Sequence, residues 1–214
     1  MTHQIVSDFL PDTLPANPFA LVADWLAAAR DGAHQPNPTA MTLASVAADG
    51  RPTARIVLCK GLHVEAGAID FYTNYRSRKA ATIAAHADVA VVFHWDHYAR
   101  QVRIEGRASP LGDDDNDAYF ATRPRLSQMG AWASDQSEPI ASRDALLQQF
   151  ETRNAAFDEE APVPRPPHWG GYRIHARACE LWVEGAGRVH DRARFERSLD
   201  GTDTDAWSGQ RLQP

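Results

Sequence analysis

Apolar residues recur along the chain with two periods, and the switches between them mark out the elements. Phe19, Val22, Leu26 and Ala29 repeat at helical spacing. Asn17 stands where a cap belongs and Pro18 at the first helical position; Gly32, Pro36 and Pro38 end the pattern. From Met41 the period shortens toward two. Met41–Ala47 and Thr53–Cys59 flank Asp49-Gly50, which predicts a hairpin. Further strands are expected at Ala68–Tyr72, Val89–Trp95, Gln101–Ala108, Tyr172–Val183, His190–Arg197 and Trp207–Leu212. Helical patterns occupy Ser77–His86, Asp113–Thr122 and Ser142–Phe157, and a Pro-rich connector runs from Pro162 to Pro167.

About eight strands in hairpin-like succession, with helices inserted between them, predict a mainly β, α+β architecture: an antiparallel barrel with peripheral helices. A doubly wound sheet is disfavoured, because no Gly-x-Gly-x-x-Gly follows a strand and the connections are short. No shift in composition divides the chain. Residues 17–214 read as one domain, preceded by a polar, Pro-containing arm or lid at residues 1–16.

Composition narrows the function classes. A chain 43% hydrophobic and 23% charged is ordinary globular material. The net charge of −6 argues against general nucleic-acid binding. No apolar run approaches a membrane helix, and no signal peptide is visible, so a cytoplasmic protein without a membrane partner is expected. Two cysteines, Cys59 and Cys179, with no Cys-x-x-Cys spacing, fit a reducing compartment. Lys60 and Lys79 are the only lysines among 22 basic residues. Where arginine is the usual cation, a retained lysine suggests a role that a planar guanidinium does not fill.

Four stretches carry candidate chemistry. Arg55-Ile56-Val57-Leu58-Cys59-Lys60 puts a cation at each end of an apolar strand, on opposite faces by alternation; the residues alone allow two strand-end surface cations. At Tyr72-Thr73-Asn74-Tyr75-Arg76-Ser77-Arg78-Lys79 a strand gives way to a helix start rich in cations. The helix dipole disfavours cations there and favours an anion, so a bound phosphate explains them; side chains in solvent are the alternative. Tyr119, Arg123 and Ser127 either converge on a second phosphate or form an amphipathic helix end. Arg188, His190 and Arg192 share one face if they lie in a strand, where His190 serves as general base or donor. The aspartates at 113–117 read as a solvated helix start, and His94 and His97 lack a third ligand, so no metal is expected.

Taken together, the motifs resemble the FMN-dependent pyridoxamine/pyridoxine 5′-phosphate oxidases. The likeness runs from about Asn17 to Pro214. It is carried by PNPTAM at 36–41, RIVLCK at 55–60, FYTN and SRKA within 71–80, and RQVRIEG at 100–106. It continues through YFATRPRLSQMGAWASDQS at 119–137, HWGGYR at 168–173, ELW at 180–182, RVHDR at 188–192 and RLQP at 211–214. The resemblance implies a split barrel and a homodimer with FMN sites between subunits. It also implies oxidation of either phosphorylated B6 vitamer to pyridoxal 5′-phosphate, with dioxygen as electron acceptor and hydrogen peroxide as product.

Carried over by position, Arg55, Arg78, Lys79, Gln136 and Ser137 are expected around the FMN phosphate. Ile56, Val57, Leu58, Tyr72 and Thr73 are expected to line the flavin. Gln101, Trp182 and Arg192 match positions contacting the ring system. Lys60, Tyr119, Arg123 and Ser127 resemble the substrate-phosphate cradle, and Arg188 and His190 the pair covering the substrate near the reacting carbon. One departure stands out: residues 4–16 contain neither the Arg nor the Tyr of the family's N-terminal lid. That leaves two alternatives, a related flavin oxidase acting on a phenazine precursor and a split-barrel protein that binds FMN or pyridoxal phosphate without turnover.

Overall fold

The cap signal at Asn17-Pro18 starts the first helix, α1 (Pro18–Asp31), where the sequence places it: the Asn17 side chain accepts from the Phe19 N–H at 2.9 Å. Its buried face is Phe19, Val22, Leu26 and Ala29, joined by Trp25. A computed structural model of the chain describes residues 9–158, 161–199 and 206–214. Part of the expected N-terminal arm, residues 1–8, therefore lies outside the described residues. Residues 9–11 do not stand free. The Leu10 N–H donates to Asp191 Oδ2 at 2.9 Å, and Arg211 Nη2 donates to the Leu10 and Pro11 carbonyls at 3.0 Å each.

The expected hairpin joins β1 (Ala40–Val46) to β2 (Pro52–Leu58), turning at Gly50 with φ +83°. The remaining strands are β3 (Gly61–His63), β4 (Ala68–Asn74), β5 (Asp88–Trp95), β6 (Arg100–Pro110), β7 (Trp169–Val183), β8 (Asp191–Glu196) and β9 (Ser208–Leu212). All pairings are antiparallel. The sheet runs β2-β1-β5-β6-β7-β4-β3, with β8 on β7 and β9 on β8. Contacts between β2 and β4 curl it toward a barrel. The interior is filled by buried side chains such as Phe19, Leu43, Phe93, Ile104, Ile174 and Phe195. Full burial of each contributes about 1.5–3 kcal/mol.

Helices decorate this sheet: α2 (Arg78–Ala85), α3 (Asp113–Ala121), α4 (Arg125–Ala133) and α5 (Arg143–Asn154). A smaller apolar cluster of Phe120, Met129, Val163 and Trp169 fastens α3 and α4 to the start of β7. Two elements escape the sequence reading. β3 is only three residues long, and α4 begins after Pro124 and contains Gly130, so its propensity is poor and tertiary contact decides it.

β7 organises the molecule. Its fifteen residues pair with β6 on one side. On the other side its first half pairs with β4 (Asn74 opposite Trp169) and its second half with β8 (Val183 opposite Asp191). The strand begins at Trp169, three residues before the expected Tyr172, because Gly170-Gly171 hides its start. A Cβ at Gly171 would meet the Tyr72 ring at 2.8 Å, so this position keeps the two strands close.

Candidate functional site

β2, β4, α3 and α4 enclose a cavity of about 680 Å³. Its wall includes Ile56, Val57 and Leu58 from β2, Tyr72 and Thr73 from β4, and Lys60, Lys79 and Gln136. Tyr119, Arg123 and Ser127 complete the opposite side. The two lysines thus share one cavity.

One end of the cavity gathers polar groups around Lys79 at the start of α2. Lys79 Nζ donates to Gln136 Oε1 at 2.6 Å, Thr73 Oγ1 at 3.0 Å and Ser77 Oγ at 3.2 Å. Ser77 also caps α2, and Ser137 Oγ accepts from the Arg78 N–H at 3.1 Å. Arg55 is not on the wall. Its guanidinium donates to the Leu43 carbonyl and Ser45 Oγ of the neighbouring β1 and to Thr53 Oγ1 of its own strand. Burial holds the Lys79 ammonium below its ordinary range, with Arg55 adding repulsion. Burial, with Arg78 as a second cause, lowers Arg55 as well. Among the described residues, neither cation is ion-paired with a carboxylate. Partly buried, like-charged and unneutralised groups at a helix start are what a phosphate would stabilise.

The other end is aromatic. The Tyr72 and Tyr119 rings stack at 3.9 Å, and Tyr72 and Trp169 at 5.3 Å. Burial pushes the Tyr72 phenol up to about 12, so it stays protonated. Arg123 lies over the Trp169 ring at 4.5 Å. Thr122, Asn74, Ser134 and Trp169 line the cavity without having been assigned to it from sequence. For Trp169 the only available signal is its place in the HWGGYR motif.

The remaining expected residues form a second cluster at the far end of β7. Trp182 pairs with Gln101 of β6 and with Arg192 of β8. Arg192 donates through Nε and Nη2 to Glu180 Oε1 at 3.1 and 2.8 Å, and through Nη1 to the Gln213 carbonyl at 2.9 Å. The buried Glu180, not anticipated as its anchor, also receives Arg103 at 3.3 Å. His190 packs on Trp182 with ring centroids 4.6 Å apart. Its Nδ1 accepts from the Gly185 N–H at 3.2 Å, so the neutral ring carries its proton on Nε2. A Cβ at Gly185 would strike the Val189 carbonyl, which fixes glycine there.

One expectation is corrected here. Arg188, His190 and Arg192 do not share a strand face. Arg188 ends a 3-10 turn with φ +68°, and β8 begins only at Asp191. The turn around Gly187 breaks the alternation. Arg188 and Ser137 (φ +78°) are non-glycine residues in the left-handed region, one in each cluster; such strain costs of order 1–3 kcal/mol and concentrates at functional sites.

The two clusters sit at opposite ends of one strand. Trp182 lies thirteen positions beyond Trp169, or roughly 40 Å of extended chain. Elsewhere the two thiols are buried and reduced; burial pushes Cys59 up to about 11 and raises Cys179 further. No helix among the described residues is long and apolar enough to cross a membrane.

Comparison with known proteins supplies the family. Residues 30–155 match the family described as pyridoxamine 5′-phosphate oxidase. Residues 169–214 match the pyridoxine 5′-phosphate oxidase C-terminal dimerisation region. A pyridoxine/pyridoxamine 5′-phosphate oxidase of Cupriavidus necator is 49% identical over 84% of this chain and 81% of its own length. One of Chromobacterium violaceum is 46% identical over 97% of this chain and 91% of its own length. Among solved structures, PhzG from Burkholderia lata 383, in complex with tetrahydrophenazine-1-carboxylic acid, aligns with a TM-score of 0.85 at 29% identity. It covers 97% of this chain and 99% of its own. A pyridoxamine 5′-phosphate oxidase-related, FMN-binding protein from Nostoc punctiforme has the same fold, with a TM-score of 0.75 at 17% identity over 94% of this chain and all of its own.

Proposed function

Because this chain belongs to the pyridoxamine 5′-phosphate oxidase family, we propose that it oxidises pyridoxine and pyridoxamine 5′-phosphates to pyridoxal 5′-phosphate, with FMN as cofactor and dioxygen as final acceptor. The observation that carries this reading is the cavity wall. It combines an apolar strand, a half-buried lysine at a helix start and a second polar set, Lys60, Tyr119, Arg123 and Ser127. The residues present fit the cofactor: Lys79, Gln136, Ser137 and the start of α2 would hold its phosphate, with Arg55 behind the wall adding charge beside Lys79, and Ile56, Val57 and Leu58 would flank its ring. FMN, when bound, supplies the two-electron acceptor that no side chain of the protein provides.

The protein's own task is placement. Lys60, Tyr119, Arg123 and Ser127 grip the substrate phosphate and so fix the distance of the reacting carbon from the cradle. The matched dimerisation region supports a homodimer. On this reading each site takes one cluster from each subunit. Arg188 and His190 of the partner subunit cover the substrate, with Arg192, Gln101 and Trp182 on the ring system. Exposed Ile56 and Val189, one from each cluster, are 63% and 69% accessible in the single chain, as residues awaiting a partner would be. The Nε2–H of His190 is a donor toward the substituent on the reacting carbon. A reducing, cytoplasmic compartment suits the two buried thiols.

Steady-state turnover with pyridoxine 5′-phosphate, pyridoxamine 5′-phosphate and a tetrahydrophenazine carboxylic acid tests the substrate class. The phosphorylated vitamers are expected to dominate; preference for the phenazine compound would shift the reading to that of PhzG. Lys60→Ala is expected to raise the Michaelis constant for the phosphorylated substrate about tenfold, the loss of one charge-assisted contact of roughly 1.4 kcal/mol. An unchanged constant would remove Lys60 from the cradle.

Lys79 gives a pH signature. Its pKa is depressed, and only the ammonium below that pKa attracts phosphate. FMN affinity is therefore expected to fall as pH rises, starting below the ordinary lysine range. Lys79→Arg should move the fall to higher pH, since arginine stays charged. A titration of bound FMN that is the same in both proteins would contradict the assignment.

A further inference from the structure

Arg123 is held by ring faces. Its guanidinium carbon lies 4.5 Å from the Trp169 ring centre and 5.6 Å from that of Phe120. Its Nη1 is buried without a hydrogen-bond partner. None of the ion pairs among the described residues includes it. Trp169 in turn is fixed from several sides. It stacks on Tyr72 at 5.3 Å and meets Phe120 edge-on at 5.1 Å. Its carbonyl accepts from Arg165 Nη1 at 2.8 Å, and Arg165 is clamped by Asp113 and Asp117 of α3.

This arrangement solves a specific problem. A carboxylate beside Arg123 would orient the guanidinium but neutralise it, and would repel an incoming phosphate. An aromatic face attracts the cation through its quadrupole and takes up none of its N–H groups. We propose that Trp169 is a positioning residue for substrate recognition: its indole face, stacked on Tyr72 and backed by Phe120, holds the Arg123 guanidinium in place with its charge free for the substrate phosphate. This rests on Arg123 belonging to the substrate cradle.

The test is a double-mutant cycle on the flavin-loaded enzyme, with pyridoxine 5′-phosphate as substrate and inorganic phosphate as competitor. Trp169→Leu is expected to raise KM and the phosphate inhibition constant by roughly tenfold while kcat stays within about twofold. Trp169→Phe restores most of the affinity. In an Arg123→Ala background, Trp169→Leu adds nothing further. An unchanged KM in Trp169→Leu, or multiplied losses in the double variant, would overturn the proposal while leaving Arg123 in the cradle. An unchanged KM in Arg123→Ala would overturn the cradle reading itself. Should Trp169→Leu fail to fold, Trp169→Tyr and Trp169→Phe carry the test: KM is expected to rise modestly in both at constant kcat, and equal KM values across Trp, Tyr and Phe would contradict the proposal.

Discussion

Co-expressing two inactive variants, Arg123→Glu and the double variant Arg188→Ala/His190→Ala, is expected to restore activity. Each change breaks a different cluster, and the clusters lie at opposite ends of β7. If every site takes one cluster from each subunit, a heterodimer contains one site with both lesions and one with neither. Random pairing makes half the dimers mixed, so about a quarter of wild-type activity should return. Isolated heterodimers, purified through two different tags, should show about half. If one subunit supplied the whole site, every site in the mixture would carry a lesion and nothing would return. Heterodimers as inactive as the parents would therefore refute the shared site.

The second large effect concerns the reacting carbon. Arg188→Ala and His190→Ala, made singly, are each expected to slow anaerobic reduction of the bound flavin by roughly 10²–10⁴-fold. FMN content should stay close to that of the parent, because Lys79, Gln136 and Ser137 belong to the other cluster. His190 is held by the Gly185 N–H and the Trp182 ring, so losing its side chain leaves a local gap, with the strand pairing of β7 and β8 intact. Stopped-flow reduction and flavin absorbance read the two quantities separately. Equal losses of FMN and of rate would move these residues from the substrate to the cofactor.

Much of this was legible in the sequence because the relevant signals are local. The Asn17-Pro18 cap, the Asp49-Gly50 turn and the alternation of β1 and β5 each specify their own element. The change from strand to a cation-rich helix start at residues 72–79 is equally local, and it puts Lys79 at the beginning of α2. What the sequence did not disclose is non-local. The seating of Arg123 on Trp169 depends on residues 46 positions apart meeting across the β7 start. The anchor of Arg192 is a buried Glu180 on the neighbouring strand. The common face that Arg188, His190 and Arg192 would have in a strand does not form, because Gly187 turns the chain just before Arg188. Both lysines proved to face one cavity, because the fold brings β2 and the start of α2 together. The separation of the two clusters followed from the length and branching of β7, which periodicity alone cannot give.

Anaerobic addition of pyridoxine 5′-phosphate to the yellow, FMN-loaded protein tests the central claim most directly. The flavin absorbance is expected to bleach, with one equivalent of pyridoxal 5′-phosphate formed per flavin, and to recover when dioxygen is admitted. Protein that binds FMN yet stays yellow with this substrate would contradict the account.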